Sequence, residues 1–260
     1  MPINIVKIGG NVVNDEGKLE NFLTAFASLK GDKILVHGGG KIATEIAKKL
    51  GVETKMIEGR RITDEPMRDV VMMVYGGLVN KKIVANLQSK NTNALGLTGA
   101  DGGVILAKKR EVHTIDYGFV GDIEKVNAAL IETLLSQGIT PVFAPLTYSP
   151  IDGVLNTNAD TQASAIATAL GGDKNVSLIY CFEKKGVLSD PSDDHSVIPV
   201  LKPDNYEAYK KEGVIYEGMI PKLDNAFDAV NNGVKRVIIC EADDLLEAVE
   251  KGETGTQILI

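Results

Sequence analysis

Lys33-Ile34-Leu35-Val36-His37-Gly38-Gly39-Gly40-Lys41-Ile42-Ala43 is the stretch that decides the fold: a short apolar run, three consecutive glycines, and the opening of a helical pattern. Glycines weaken regular elements through backbone entropy, so three in a row belong where the main chain turns sharply and lies bare against something. A strand feeding such a turn and then a helix aims unpaired N–H groups outward, with the positive end of the helix dipole behind them. That arrangement binds anions, and a turn that binds nothing would need only one glycine. The same residues also fit a loose dinucleotide fingerprint, Gly38-x-Gly40-x-x-Ala43, which wants an acidic residue about 20 positions on, at the end of a second strand. Glu58 lies at that distance, but Met56-Ile57-Glu58-Gly59-Arg60-Arg61 is too polar to read as the end of a buried parallel strand. An NAD-dependent oxidoreductase is therefore the weaker alternative.

Upstream, Ile3-Asn4-Ile5-Val6-Lys7-Ile8-Gly9-Gly10 reads as a strand ending in a second glycine turn. A lysine inside an apolar strand is costly unless its charge is paired, which places Lys7 at the carboxyl end of a central parallel strand, where open sheets bind their ligands. Residues 18–29 show helical spacing, so strand, helix and strand form one right-handed crossover. Downstream of the glycines come a helix closed by Gly51, a polar hairpin over 54–62, and a helix running to about Gln88 that starts at Thr63-Asp64-Glu65-Pro66, with Thr63 as its capping hydroxyl. Its Val70, Val71, Met73, Val74, Leu78 stripe and Gly76-Gly77 notch are compatible with a homodimer seam. Short strands are expected at 94–98, 104–107 and 118–120, a helix at 127–137 and a buried strand at 139–145. Asn156-Thr157-Asn158-Ala159-Asp160 opens the next helix with more capping side chains than one N-terminus needs, so some of them should face a ligand.

Gly171-Gly172-Asp173 divides the chain into an N-terminal lobe, residues 1–172, and a C-terminal lobe, 173–260. The second lobe carries strands at 176–182 and 234–240, helices at 203–211 and 245–251, and a last strand at 257–260 that is expected to end the sheet. Alternating strands and helices throughout predict an α/β fold, a three-layer αβα sandwich around a mainly parallel central sheet. In Gly218-Met219-Ile220-Pro221-Lys222 a lysine occupies the first turn of a helix, opposing its dipole at a cost of up to ~1 kcal/mol. Breaches of local preference of this kind tend to be functional.

The chain of 260 residues carries a net charge of −7, which argues against nucleic acid or an anionic membrane surface as partner. No apolar run reaches bilayer-spanning length and the N-terminus lacks a signal-peptide layout, so the expected location is the cytoplasm. Cys181 and Cys240 close apolar runs and read as reduced core residues; no Cys or His spacing predicts a zinc site. The remaining inventory is bare amides, two lysines set against local preference, an arginine after a hairpin and an Asn-x-Asn-x-Asp helix start. It suits phosphoryl transfer, which calls for positioning and for cations around the transferring group. Gly40-Lys41 is followed by Ile42 and lacks the upstream glycine of a P-loop, so the P-loop class is excluded.

Val6-Lys7-Ile8-Gly9-Gly10, His37-Gly38-Gly39-Gly40, Gly59-Arg60-Arg61-Ile62-Thr63, Asn156-Thr157-Asn158-Ala159-Asp160 and Gly218-Met219-Ile220-Pro221-Lys222 together resemble the acetylglutamate kinases of the amino-acid kinase superfamily, in the family's order over nearly the whole chain. The resemblance implies a carbamate kinase-like fold, with an N-terminal lobe for acyl-glutamate and dimerisation and a C-terminal lobe for ATP and magnesium. It implies that Lys7 and Lys222 hold the transferring phosphoryl and Asp160 orients them. Gly39 and Gly40 would present amides to the substrate, Arg61 would grip its α-carboxylate, and Asn156 and Asn158 would bind the acyl-glutamate. Gly9, Gly10, Lys185 and Gly186 would lie on the nucleotide side, and no protein side chain is expected to ligate the metal. Sister kinases acting on free amino acids, carbamate or UMP share the superfamily.

The chemistry agrees with the inventory. A γ-carboxylate with a solution pKa near ~4.3 is ionised at neutral pH and needs no general base. Its difficulty is repulsion from ATP, about 4 kcal/mol per unit charge pair at ~4 Å and an effective dielectric of ~20, which the two lysines and magnesium would offset. Cys181-Phe182-Glu183-Lys184-Lys185-Gly186-Val187 departs from the Thr-Asp-Val that relatives often show before a glycine, which leaves the base contacts open. The resemblance does not fix the acyl group, acetyl or the larger succinyl. With six residues before Lys7, the expectation is a homodimer insensitive to arginine, which inhibition by arginine in solution would contradict.

Overall fold

The computed structural model describes residues 2–57, 59–172, 174–190, 192–215 and 219–260, with the backbone alone at Pro221. Glu58, Asp173 and Gly218, used above, lie outside the described residues. In chain order the principal elements begin with β1 (Ile3–Ile8), α1 (Gly10–Asn14), α2 (Glu16–Ser28), β2 (Asp32–His37), α3 (Gly40–Lys49), α4 (Glu65–Ser89) and β3 (Ala94–Leu97). They continue with α5 (Ala128–Ser136), β4 (Thr140–Phe143), α6 (Ala159–Leu170), β5 (Val176–Phe182), β6 (Val200–Leu201), α7 (Pro203–Lys211), α8 (Ile220–Asn231), β7 (Arg236–Glu241), α9 (Leu245–Glu250) and β8 (Thr256–Ile258). The eight strands form one sheet in the order β6-β8-β7-β5-β1-β2-β4-β3. Neighbours are parallel except for β7 and β8.

Alternation along each strand sorts side chains onto two faces. Ile3 and Ile5 of β1 join a core with α5, α6 and α8, through residues such as Ile131, Ile166 and Leu223. Val6 and Ile8 join a second core with α2, α4 and α9, through Phe22, Phe26, Val74 and Leu245. These are the three layers that the sequence predicts. The same parity sends Lys7 toward α6, and sends His37, in phase with Leu35, toward α4. The sheet is continuous across residue 172, since β1 pairs with β5 from Ile3↔Val176 to Ile8↔Cys181. Cys181 and Cys240 are buried and free, with their sulfurs 3.9 Å apart on adjacent strands. Burial pushes the Cys181 thiol well above its ordinary pKa.

Several local expectations are corrected. Residues 118–120 form only isolated bridges, Thr63↔Gly118 and Val120↔Asn156; the strand proper is Gly121–Val126. It pairs with Ile105–Lys109 in a second, four-stranded sheet completed by the hairpin Leu146–Ser149 and Gly153–Asn156. That hairpin escapes a sequence reading because its buried positions include Thr147 and Ser149. Their hydroxyls are satisfied by Thr157 at 2.8 Å and Asp152 at 2.9 Å, so they look polar while serving as core. β8 does not end the sheet but inserts between β6 and β7. The two-residue hairpin Met56–Ile57 with Arg60–Arg61 stands apart from the main sheet, so the dinucleotide reading of the glycine turn lacks its second parallel strand.

The cap of α4 is Asp64, whose carboxylate accepts from the Met67 amide at 3.0 Å, rather than Thr63. The middle of α4, Met72–Val79, is wound as a π-helix. The π winding changes the buried spacing from four to five residues, so Val74 and Val79 are both buried while Leu78 is 42% exposed, and Met72 and Met73 are 38% and 54% exposed. By length and composition this 25-residue helix could cross a membrane, an 18-residue window of it having a mean hydropathy of 1.2. Val70, Val71, Val74, Ile83 and Leu87 nonetheless pack it into the core beneath the sheet.

Gly118 has φ +72°, and a Cβ there would fall 2.2 Å from the Thr63 carbonyl oxygen. Gly118→Ala is expected to lower unfolding stability by about 2 kcal/mol through backbone strain, read from the urea midpoint. Gly59→Ala has φ +72° and open space around it, so it is expected to cost about 1 kcal/mol.

Candidate active site

The carboxyl ends of β1, β2 and β5 open into a cleft of about 610 Å³. Two uncapped helix N-termini face it. Gly9 caps α1 and Gly39 caps α3, neither with a side-chain hydrogen bond, so first-turn amides are presented bare. At Gly39, where φ is +156°, glycine is needed by contact as well as by freedom. A Cβ on Gly39 would lie 3.1 Å from the Tyr75 ring and one on Gly38 3.4 Å from the Gly10 nitrogen, while Gly10 has open space where its side chain would be.

Lys7 reaches the cleft from the end of β1. It is 6% exposed, and its Nζ lies 2.7 Å from Asp160 Oδ1 and 4.8 Å from the centroid of the Phe182 ring. Asp160 stands in the first turn of α6. Asn158 caps that helix, its Oδ1 accepting from the amides of Asp160 at 2.7 Å and Thr161 at 3.1 Å, and the Tyr180 hydroxyl donates to the Asp160 carbonyl at 3.2 Å. Lys222, in the first turn of α8, brings its Nζ to 3.9 Å from the same Phe182 ring. Two ammonium groups from segments 215 positions apart in sequence therefore converge on one aromatic ring beside one carboxylate. Burial is the main influence lowering the Lys222 pKa; the Lys7 charge adds to it and Asp160 opposes it. Added negative charge in the cleft would relieve both penalties.

Arg61, 8% exposed, leaves the hairpin and donates through Nη2 to the Gly40 carbonyl at 2.8 Å and the Thr44 hydroxyl at 2.9 Å. It thereby ties the hairpin to the glycine turn at the mouth of the cleft. Asn156 donates through Nδ2 to the Thr63 hydroxyl at 3.0 Å, which is available because Asp64 does the capping. Lys7, Gly9, Gly10, Gly39, Gly40, Arg61, Gly186 and Lys222 line the cleft; Asn156, Asn158, Asp160 and Lys185 do not. Asp160 acts from behind Lys7, Asn158 spends its oxygen on the cap, and Lys185 is exposed. Phe182, Thr63 and Tyr75 are the participants that sequence reasoning missed. Phe182 carried a signal, an aromatic at the end of a strongly apolar parallel strand. Among the described residues no cluster of three or more His, Cys, Asp or Glu is placed to hold a metal ion.

A model of the amino acid kinase family matches residues 2–241. The chain is 56% identical to an acetylglutamate kinase of Cytophaga hutchinsonii, over 98% of this chain and 97% of that one. It is 53% identical to an acetylglutamate kinase of Phocaeicola vulgatus, over 98% of each. Among solved structures, carbamate kinase from Giardia lamblia bound to AMP-PNP superposes with a TM-score of 0.66 at 16% identity, covering 99% of this chain and 98% of that one, a likeness of fold.

The Lys7 and Asp160 side chains are 8% and 14% exposed, so removing one partner strands the other charge. Asp160→Asn is expected to cost about 3 kcal/mol of unfolding free energy, and the double change Lys7→Met with Asp160→Leu to recover most of it. Denaturant titration of the two variants beside the wild type checks this.

Proposed function

The chain belongs to the amino acid kinase family, and we propose that it transfers the γ-phosphoryl group of ATP to the γ-carboxylate of N-acetyl-L-glutamate, in the synthesis of arginine. The observation that carries this is the meeting of Lys7 and Lys222 over Phe182, at the head of a cleft floored by glycine amides. The acceptor carboxylate is already ionised, so the residues serve to suppress repulsion and to align donor and acceptor. Lys7 and Lys222 flank the phosphoryl in flight, and Asp160 holds Lys7. The amides of Gly39 and Gly40 and of the Gly9-Gly10 turn meet its oxygens and those of the nucleotide, with Gly186 on the nucleotide side. Arg61 takes the α-carboxylate of the acylated amino acid, and Asn156 its amide. Asn158 serves by capping the helix that carries Asp160, and Lys185, exposed beside Gly186, is available to the nucleotide from outside the cleft. Magnesium enters with ATP as part of the nucleotide substrate.

In this reading residues 1–172 bind the acyl-glutamate and residues 173–260 the nucleotide. The protein is a cytoplasmic homodimer, joined through the face of α4 that exposes Met72, Met73 and Leu78. The acyl group is the open choice: a succinyl group adds a third carboxylate and would call on a further cation at the pocket wall.

The direct test is incubation with MgATP and N-acetyl-L-glutamate, with the acyl phosphate trapped by hydroxylamine as the hydroxamate. N-succinylglutamate, glutamate, carbamate and UMP serve as competing acceptors. Turnover with N-acetylglutamate is expected, and turnover with none of the acylglutamates would refute the proposal. Lys7→Ala and Lys222→Ala are each expected to lower kcat by about 10² or more, and Arg61→Ala mainly to raise KM for the acylglutamate. Unchanged turnover in both lysine variants would remove the mechanism.

A further inference from the structure

We propose that His37 and Asn80 are a positioning pair that locks the Gly38–Gly39 peptide, so that the Gly39 amide is held toward the cleft. The inference rests on the phosphoryl-transfer reading above and adds two residues to which that reading gave no role.

His37 is the last residue of β2 and is fully buried on the α4 side of the sheet. Asn80, in α4, is 1% exposed. The Asn80 Nδ2 lies 2.9 Å from the Val142 carbonyl and 3.1 Å from His37 Nε2, while Lys81 Nζ lies 3.1 Å from Asn80 Oδ1. A carbonyl only accepts and an ammonium only donates. Both neighbours therefore assign the same amide orientation, with the NH2 end toward Val142 and His37. One of its two hydrogens goes to Val142 and the other to the imidazole, so Nε2 must offer a lone pair. In a neutral ring the proton then sits on Nδ1, which lies 2.8 Å from the Gly38 carbonyl oxygen and donates to it. Burial drives the His37 pKa down to about 4, which keeps the ring neutral at physiological pH.

The consequence follows from the planar trans peptide, in which C=O and the following N–H point in opposite directions; no peptide bond among the described residues is cis. With the Gly38 oxygen held by the buried ring, the Gly39 N–H points away from it, and Gly39 lines the cleft. Three successive glycines have no side chains to limit rotation of that peptide unit. The imidazole supplies the missing constraint. His37 does not touch the reacting atoms in this arrangement and moves no proton.

Room for the pair comes from a third residue. Gly96 on β3 faces the Asn80 carboxamide, and a Cβ there would fall 1.9 Å from Asn80 Oδ1 and 2.7 Å from Lys81 Nζ. Gly96 is not a cleft residue, yet its lack of a side chain is what lets Asn80 reach His37.

The test combines spectroscopy with kinetics. In wild-type protein labelled with ¹⁵N-histidine, the resonances lost in His37→Asn are expected to report a neutral ring protonated on Nδ1. His37→Leu is expected to lower kcat by about 10- to 100-fold, with both KM values within about 3-fold, as for misplacement of an aligning group. His37→Asn, whose carboxamide NH2 can replace the Nδ1 donor, is expected to restore most of kcat. Gly96→Ala is expected to reproduce the loss from outside the cleft. A wild-type ring protonated on Nε2, or a folded His37→Leu with unchanged kcat, would overturn the proposal. Should His37→Leu fail to fold, the tautomer and the Gly96→Ala kinetics decide it in either direction. A wild-type protein that phosphorylates no acylglutamate, yet shows the Nδ1 tautomer, would instead overturn the functional reading, leaving the pinned peptide as a structural fact.

Discussion

A buried ammonium group at the end of a central strand is the constraint on which the rest of the structure depends. Lys7 is almost fully removed from water, and an unpaired charge there would be untenable. Asp160 must therefore stand beside it, which fixes where α6 begins; Asn158 secures that start by capping the helix. Phe182, at the end of the adjoining strand, gives Lys7 and Lys222 a common ring to pack against. One carboxylate cannot neutralise two ammonium groups, and the excess charge is left facing the cleft. In a protein with a net charge of −7, that local excess is what, in the proposed reaction, would draw an anionic donor and acceptor to the same place.

The backbone supplies what the side chains do not. Uncapped amides at the starts of α1 and α3 add directional donors, and at Gly39 glycine is required because φ is +156° and the Tyr75 ring stands 3.1 Å from where a Cβ would be. Freedom and alignment conflict in such a turn. The structure resolves the conflict on both sides of the glycines. Arg61 holds the Gly40 carbonyl from the hairpin, and His37 holds the Gly38 carbonyl from the core. Ionised acceptors need no base, which is consistent with a histidine whose ring is buried and serves geometry.

Much of this was legible in the sequence because the decisive features break local rules. Lys7 in an apolar strand, Lys222 in the first turn of a helix, and the three glycines of residues 38–40 are each expensive where they stand, and each lines the cleft. The parallel sheet was legible from long apolar runs such as Val176–Phe182. What was not legible depends on partners distant in the chain. The hairpin 146–156 hides its core positions as Thr147 and Ser149, satisfied only once Thr157 and Asp152 arrive. Thr63 looks like a cap until Asp64 proves to be one. The π-turn of α4 shifts its apolar stripe in a way no 3.6-residue pattern anticipates. Asn80 belongs with His37 across 43 positions, through a gap left by Gly96.

The most direct measurement is a crystal structure of the complex with MgADP, N-acetyl-L-glutamate and aluminium fluoride, the last standing for the phosphoryl group in flight. The expected result places the ammonium groups of Lys7 and Lys222 on opposite sides of the fluoroaluminate, each within about 3 Å of a fluorine as in a charge-assisted hydrogen bond. A fluoroaluminate bound away from the Phe182 face, or contacted by only one of the two lysines, would contradict the central claim.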